Sequence, residues 1–98
     1  MSRTKLSDEE IRQKLPELGE GWTYESGKLA KRFKFDGFVR AFGWMTSVAL
    51  VAEKLDHHPD WKNVYNRVDV ELMTHDAGGV TPRDFELAKH MNEFAAAK

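Results

Sequence analysis

Residues 38–55, FVRAFGWMTSVALVAEKL, form the longest periodic run in the sequence and restrict the fold more than any other stretch. Wound at 3.6 residues per turn, Phe38, Ala41, Phe42, Trp44, Met45, Val48, Ala49, Val51, Ala52 and Leu55 spread over about half the circumference of a helix. A helix lying on one sheet needs an apolar stripe of only a little over a quarter of that circle. Val39 and Leu50 fall on the otherwise polar side. The chain has 98 residues, enough for one domain (1–98) with a modest core. One sheet and two short helices would cover only part of such a helix. The surplus predicts either a deeply buried central helix or, as the favoured reading, a helix that also meets another subunit.

The elements around this helix are marked by their ends. Ser7 and Glu10 fit a capping box, with Leu6 and Ile11 at the flanking staple positions, and Ile11, Leu15 and Leu18 recur at helical spacing. A helix is expected over 6–18, fraying or stopping near Pro16 and Gly19. Trp22-Thr23-Tyr24-Glu25 alternates as a strand does, and Ser26-Gly27 is a turn signal. Leu29, Phe33 and Phe35 then share one face of a second strand, with Lys28, Arg32 and Lys34 on the other. Asp36 is the expected N-cap of the long helix. Val64, Val68, Val70 and Leu72 share a face farther on, and Asn66 breaks the phase. That break predicts two antiparallel strands, about 61–65 and 68–74, with a single bent strand as the alternative. Thr81, Pro82 and Asp84 suit the N-cap, first position and capping-box acid of a last helix. Its alanine-rich end, 95–97, is expected to fray. The order is α-β-β-α-β-β-α, an α+β chain whose hairpins imply a four-stranded antiparallel sheet with the helices on one face.

Charge and composition exclude several functions. The net charge is −1 and the charges are interspersed. The small cluster Lys28, Lys31, Arg32 and Lys34 reads as a solvated strand face, not a nucleic-acid stripe. There is no cysteine, hence no disulfide, thiolate nucleophile or thiolate zinc site. No apolar run is long enough to span a membrane, and the N-terminus shows no secretory signal, so a cytoplasmic location is expected.

Three of the four histidines lie in two short stretches, Asp56-His57-His58-Pro59-Asp60-Trp61 and Thr74-His75-Asp76-Ala77-Gly78-Gly79. Pro59 limits His58 to extended or turn geometry, so the preceding helix should end by about His57. Gly78-Gly79 permits a tight path after His75. Imidazole gives and takes protons near neutral pH. Two or three at one pocket mouth can pair as acid and base, as a dehydration requires. The competing readings are an ordinary helix-ending loop and a three-histidine zinc site. Glu53 and Asp56 either orient His57 or are solvated helix-end charges. Asp84 reads first as a capping residue, and orienting a neighbouring histidine is a second role open to it. Trp61 either stacks on a flat ligand or fills core. His90, mid-helix, is structural.

The stretches Glu53–Trp61, Asn63-Val64-Tyr65-Asn66-Arg67-Val68, Thr74-His75-Asp76 with Gly79, and Arg83-Asp84 together resemble the pterin-4a-carbinolamine dehydratases. Phe38-Val39-Arg40-Ala41-Phe42-Gly43-Trp44-Met45 is similar to that family's long helix. The resemblance runs from about Trp22 to Lys89. It implies the α-β-β-α-β-β-α fold and a reaction: removal of water from a 4a-hydroxytetrahydropterin, the product of aromatic amino acid hydroxylases, to give quinonoid dihydropterin for recycling. It implies no metal and no organic cofactor, the pterin being the substrate. His57 and His75 would be general acid and base, with His58 positioning the pterin and sharing proton work. Asp56, Met73, Thr74 and Asp76 would line the substrate site. Asp84, Pro59 and Trp61 would support it. Relatives form homodimers, and some form homotetramers through the long helix. Some animal members serve, through that same surface, as dimerisation cofactors of a homeodomain transcription factor. A nuclear location is implied only for a member of that kind, and the runner-up function is such a coactivator module.

Overall fold

The first helix is fixed by its cap. Ser7 N–H donates to Glu10 Oε1 (2.9 Å) and Glu10 N–H donates to Ser7 Oγ (3.1 Å), the reciprocal pair read from the sequence. These contacts come from a computed structural model that describes residues 4–96. The stretch Met1–Arg3, part of the segment read for a secretory signal, lies outside the described residues. So does Ala97 of the predicted fraying end.

Helix α1 spans Asp8–Lys14 and tightens into a 3₁₀ turn at Leu15–Leu18, where Pro16 and Gly19 end it. Strands β1 (Thr23–Glu25) and β2 (Lys28–Lys34) form the predicted hairpin over Ser26 and Gly27, both at positive φ. Helix α2 runs Phe38–Leu55, strands β3 and β4 run Asp60–Val64 and Arg67–Leu72, and helix α3 runs Pro82–Ala96. The sheet is antiparallel throughout, in the order β1-β2-β4-β3. Asn66 lies in the turn between β3 and β4. Its amide donates to Phe35 O (3.1 Å) and its carbonyl accepts Phe35 N–H (2.9 Å), which ties the turn to the end of β2.

Register sets the two faces of the sheet. Leu29, Phe33, Val68, Val70 and Leu72 point to the helices and are buried. Trp44 of α2 packs its ring on Phe33 (4.5 Å), Phe35 (5.2 Å) and Trp61 (6.0 Å), and its indole N–H donates to Met91 O (3.0 Å). Asn92 of α3 donates to Leu18 O (2.8 Å) and accepts from the Trp22 indole (2.9 Å), pinning the 3₁₀ turn and β1 to the last helix. The outer face carries Arg32, Asp69 and Lys62 abreast. The Arg32 guanidinium donates to Asp69 (2.7 Å) and holds that carboxyl below its usual range.

Three local expectations are corrected. Val64 does not share the buried face of Val68, Val70 and Leu72: it pairs with Arg67 on the outer side of the sheet and is exposed. Lys31 does not join the solvated basic face. It shares the inward phase of Leu29 and Phe33, lays its ammonium over the Phe33 ring (4.7 Å) and reaches Glu20 O (3.0 Å). Burial pushes that ammonium below its ordinary pKa. Nor does Asp36 cap α2. The first turn closes on Gly37, whose carbonyl accepts Ala41 N–H (3.1 Å), and no side chain caps it.

On α2, Ala41, Trp44, Val48 and Ala52 are buried, with Met45, Val51 and Leu55 beside them. Phe38, Phe42, Val39 (82% exposed) and Leu50 (71% exposed) stand outside that stripe. The broad apolar arc therefore exceeds what this single chain covers. Among the described residues, no helix is long and apolar enough to cross a membrane.

Candidate active site

The site begins where α2 ends. Asp56 adopts the left-handed conformation (φ 52°, ψ 46°), a position that usually takes Gly or Asn. Asp56 N–H bonds Glu53 O (3.1 Å) and His57 N–H bonds Ala52 O (3.0 Å), a six-residue closure that turns the chain back under the helix end. The helix thus stops at Leu55, two residues earlier than Pro59 alone requires. The reversal sends His57 inward, 5% exposed, and leaves His58 outside. Arg83 at the start of α3 reinforces the turn, its guanidinium donating to the Leu55 carbonyl.

The second histidine stretch is a small closed loop. Thr74 and Gly79 exchange backbone bonds (2.8 and 3.3 Å), and between them His75–Ala77 make one 3₁₀ turn. Gly78 takes the left-handed position at φ 75°. The exposed Lys5 side chain crosses Gly79 and would lie 2.8 Å from a Cβ placed there.

These two turns face each other across a cleft of about 180 Å³ lined by Asp56, His57, His58, Met73, Thr74, His75 and Asp76. All seven were singled out in the sequence. Asp84 lies directly behind the cleft, wholly buried. Its Oδ1 is 2.5 Å from His57 Nε2, and its Oδ2 accepts Thr81 N–H (2.9 Å) and the Thr74 hydroxyl (2.9 Å). The same carboxylate therefore caps α3 and orients His57. A carboxylate only accepts, so His57 carries a proton on Nε2 and donates it to Asp84. His58 pairs with Glu53 (2.9 Å) at the surface, where such a contact contributes little. The His75 ring is exposed and has no hydrogen-bond partner among the described residues. One histidine is thus fixed from behind, and two stand at the rim.

Trp61 and Pro59 do not line the cleft. Trp61 sits opposite Val70 on the inward face of the sheet, against Trp44, so it fills core and supports β3 from below. His90 of α3 bonds Glu86 (3.0 Å) and lies 3.3 Å from Glu93, apart from the cleft. Among the described residues, no group of three or more His, Cys, Asp or Glu is placed to hold a metal ion. Thr81, Arg83 and Lys5 were not singled out as parts of the site. Thr81 and Arg83 were legible only as the opening of a helix, and Lys5 carried no signal.

Fold and cleft together define an α+β domain with an open pocket lined by three histidines. Comparison with known proteins agrees with this class. The sequence model of the family described as pterin 4 alpha carbinolamine dehydratase matches residues 4–94. Two relatives bear the name "Putative pterin-4-alpha-carbinolamine dehydratase". One, from Afipia carboxidovorans, is 59% identical over 93% of this chain and 92% of its own. The other, from Solibacter usitatus, is 52% identical over 95% of this chain and 97% of its own. A crystal structure of a transcriptional coactivator/pterin dehydratase from Brucella melitensis superposes with a TM-score of 0.91 at 45% identity, covering 95% of this chain and all of that one. The chain belongs to the pterin 4 alpha carbinolamine dehydratase family.

The dual use of Asp84 makes a stability prediction. Asp84→Ala strands His57, Thr74 and the Thr81 N–H, and should lower unfolding free energy by about 3 kcal/mol. His75→Ala, on an exposed turn, should change it by less than about 0.5 kcal/mol. Urea titration of both variants measures the contrast.

Proposed function

We propose that this protein dehydrates 4a-hydroxytetrahydropterins to quinonoid dihydropterins, the step that returns the pterin to recycling after aromatic amino acid hydroxylation. The observation that carries the reading is the buried Asp84–His57 pair at the back of a cleft rimmed by His58 and His75, in a chain of this family. Dehydration breaks the C4a–O bond. The departing hydroxyl needs a proton to leave as water, and a ring N–H must give one up to complete the new double bond. His57, held in one tautomer, and His75, uncommitted at the rim, divide these two transfers. His58 positions the pterin and shares the proton work. Asp56, Met73, Thr74 and Asp76 form the walls, partly through backbone atoms. The pterin enters as substrate, and the chemistry needs no metal and no other cofactor.

The test is the decay of freshly generated 4a-hydroxytetrahydropterin, followed by ultraviolet absorbance as the rate in excess of spontaneous dehydration. His75→Ala should lower the excess rate about 100-fold with an unchanged circular dichroism spectrum, and His57→Ala with His75→Ala should abolish it. Activity should survive a chelator. Normal turnover in His75→Ala would remove that residue from the mechanism.

A second reading rests on a separate observation, the apolar face of α2 at Phe38, Val39, Phe42 and Leu50. It is an assembly role, through a homodimer or homotetramer or through a regulatory partner. The similar Brucella protein, a transcriptional coactivator/pterin dehydratase, favours keeping it. Leu50→Glu should lower the molar mass measured by light scattering at micromolar concentration while leaving the excess dehydration rate within about twofold. An unchanged mass would count against α2 as the contact.

A further inference from the structure

Thr74 lines the cleft, yet its side chain faces away from it. The residue continues the inward phase of Val68, Val70 and Leu72, and it is 2% exposed. A hydroxyl buried in this phase costs free energy that an isosteric valine would avoid. The hydroxyl is therefore explained only by what it bonds.

It has two partners. Thr74 Oγ1 lies 2.9 Å from Asp84 Oδ2 and 2.8 Å from Thr81 Oγ1. A hydroxyl owns one proton. Asp84, as a carboxylate, has none to give, so the Thr74 proton goes to Asp84. The proton between the two threonines must then come from Thr81. Thr81 Oγ1 accepts in turn from Arg83 N–H (3.2 Å), and Thr81 is wholly buried. The directions form one chain: Arg83 N–H to Thr81, Thr81 to Thr74, Thr74 to Asp84, with His57 Nε2–H meeting the other carboxylate oxygen. The donors converge on Asp84, and no water-facing group interrupts the series.

We propose that Thr74 is a positioning residue for His57: its hydroxyl, fed by Thr81, holds Asp84 in the orientation that presents His57 Nδ1 to the cleft. Thr74 then does not bind substrate through its side chain. Its contribution passes through Asp84, and its backbone alone belongs to the cleft wall. Oδ2 also accepts the Thr81 N–H, the bond that caps α3. The Thr74 hydroxyl supplies a second point of attachment on that oxygen.

The kinetic arm of the test rests on the dehydratase reading, and the spectroscopic arm does not. Thr74→Val should lower kcat about tenfold with KM unchanged. Thr74→Ser, which keeps the hydroxyl, should restore kcat to within about twofold of the parent. In an Asp84→Asn background, adding Thr74→Val should change kcat less than about twofold, because the two residues act in series. A rise in KM at unchanged kcat would overturn the proposal and make Thr74 a substrate contact. Nitrogen-15 spectra of the imidazoles read the wiring without any turnover. The parent should show His57 as a single tautomer protonated at Nε2, and Thr74→Val should show both tautomers. An unchanged His57 tautomer in Thr74→Val would overturn the proposal whether or not the protein is a dehydratase. Should the valine variant fail to fold, the parent alone still decides. A slowly exchanging Thr74 hydroxyl proton is expected, and its absence would contradict the chain of donors.

Discussion

A fully buried carboxylate is expensive unless both of its oxygens are hydrogen-bonded. Asp84 meets this condition with three donors from three parts of the chain: His57 from the end of α2, Thr74 from the end of β4, and the Thr81 N–H from the start of α3. The junction of these elements is therefore also the back of the cleft. Helix capping, loop docking and histidine orientation are one interaction here. The same residue that caps α3 fixes the Nε2 side of the His57 ring.

The arrangement depends on a backbone conformation that the sequence does not favour. Asp56 sits in the left-handed region, which costs a non-glycine residue roughly 1 kcal/mol. The six-residue closure onto Ala52 and the Arg83 contact with Leu55 hold it there. Strain of this kind persists where the surroundings over-determine it, and it concentrates at functional sites. At this turn it separates two adjacent histidines into one buried and one exposed position. Two otherwise identical side chains thus acquire different partners, Asp84 for His57 and Glu53 for His58. Across the cleft, the closed Thr74–Gly79 loop keeps His75 at the surface on a short tether, where its ring has no competing partner among the described residues.

Much of this was legible in the sequence because it is local. The Ser7–Glu10 and Thr81–Asp84 caps, the two hairpins and the α2 stripe follow from residue type at fixed spacing, and the sheet with helices on one face follows from their order. The seven residues lining the cleft were also recoverable, because both turns are marked by Pro59 and by Gly78-Gly79 and because the motifs around them resemble a known family. What was illegible depends on register or on distance along the chain. Lys31 reads as one more surface base until pairing with Val70 turns it inward over Phe33. Trp61 reads equally as ligand platform or core until its place opposite Val70 settles it against Trp44. Asp36 looks like a cap one residue too early. The series Arg83, Thr81, Thr74 and Asp84 spans a loop and a helix start, and no spacing rule announces it. The exposed side of α2 was visible as surplus apolar surface, which a single chain leaves uncovered.

His57, His58 and His75 line one cleft, with His57 anchored to Asp84, and we propose that this cleft takes a pterin. The most direct measurement is a titration of the protein with a stable dihydropterin, followed through the imidazole resonances of all four histidines. Saturable shifts are expected at His57, His58 and His75 together, with a single dissociation constant, and none at His90, which lies apart on α3. Shifts absent from the three, or centred on His90, would contradict this proposal.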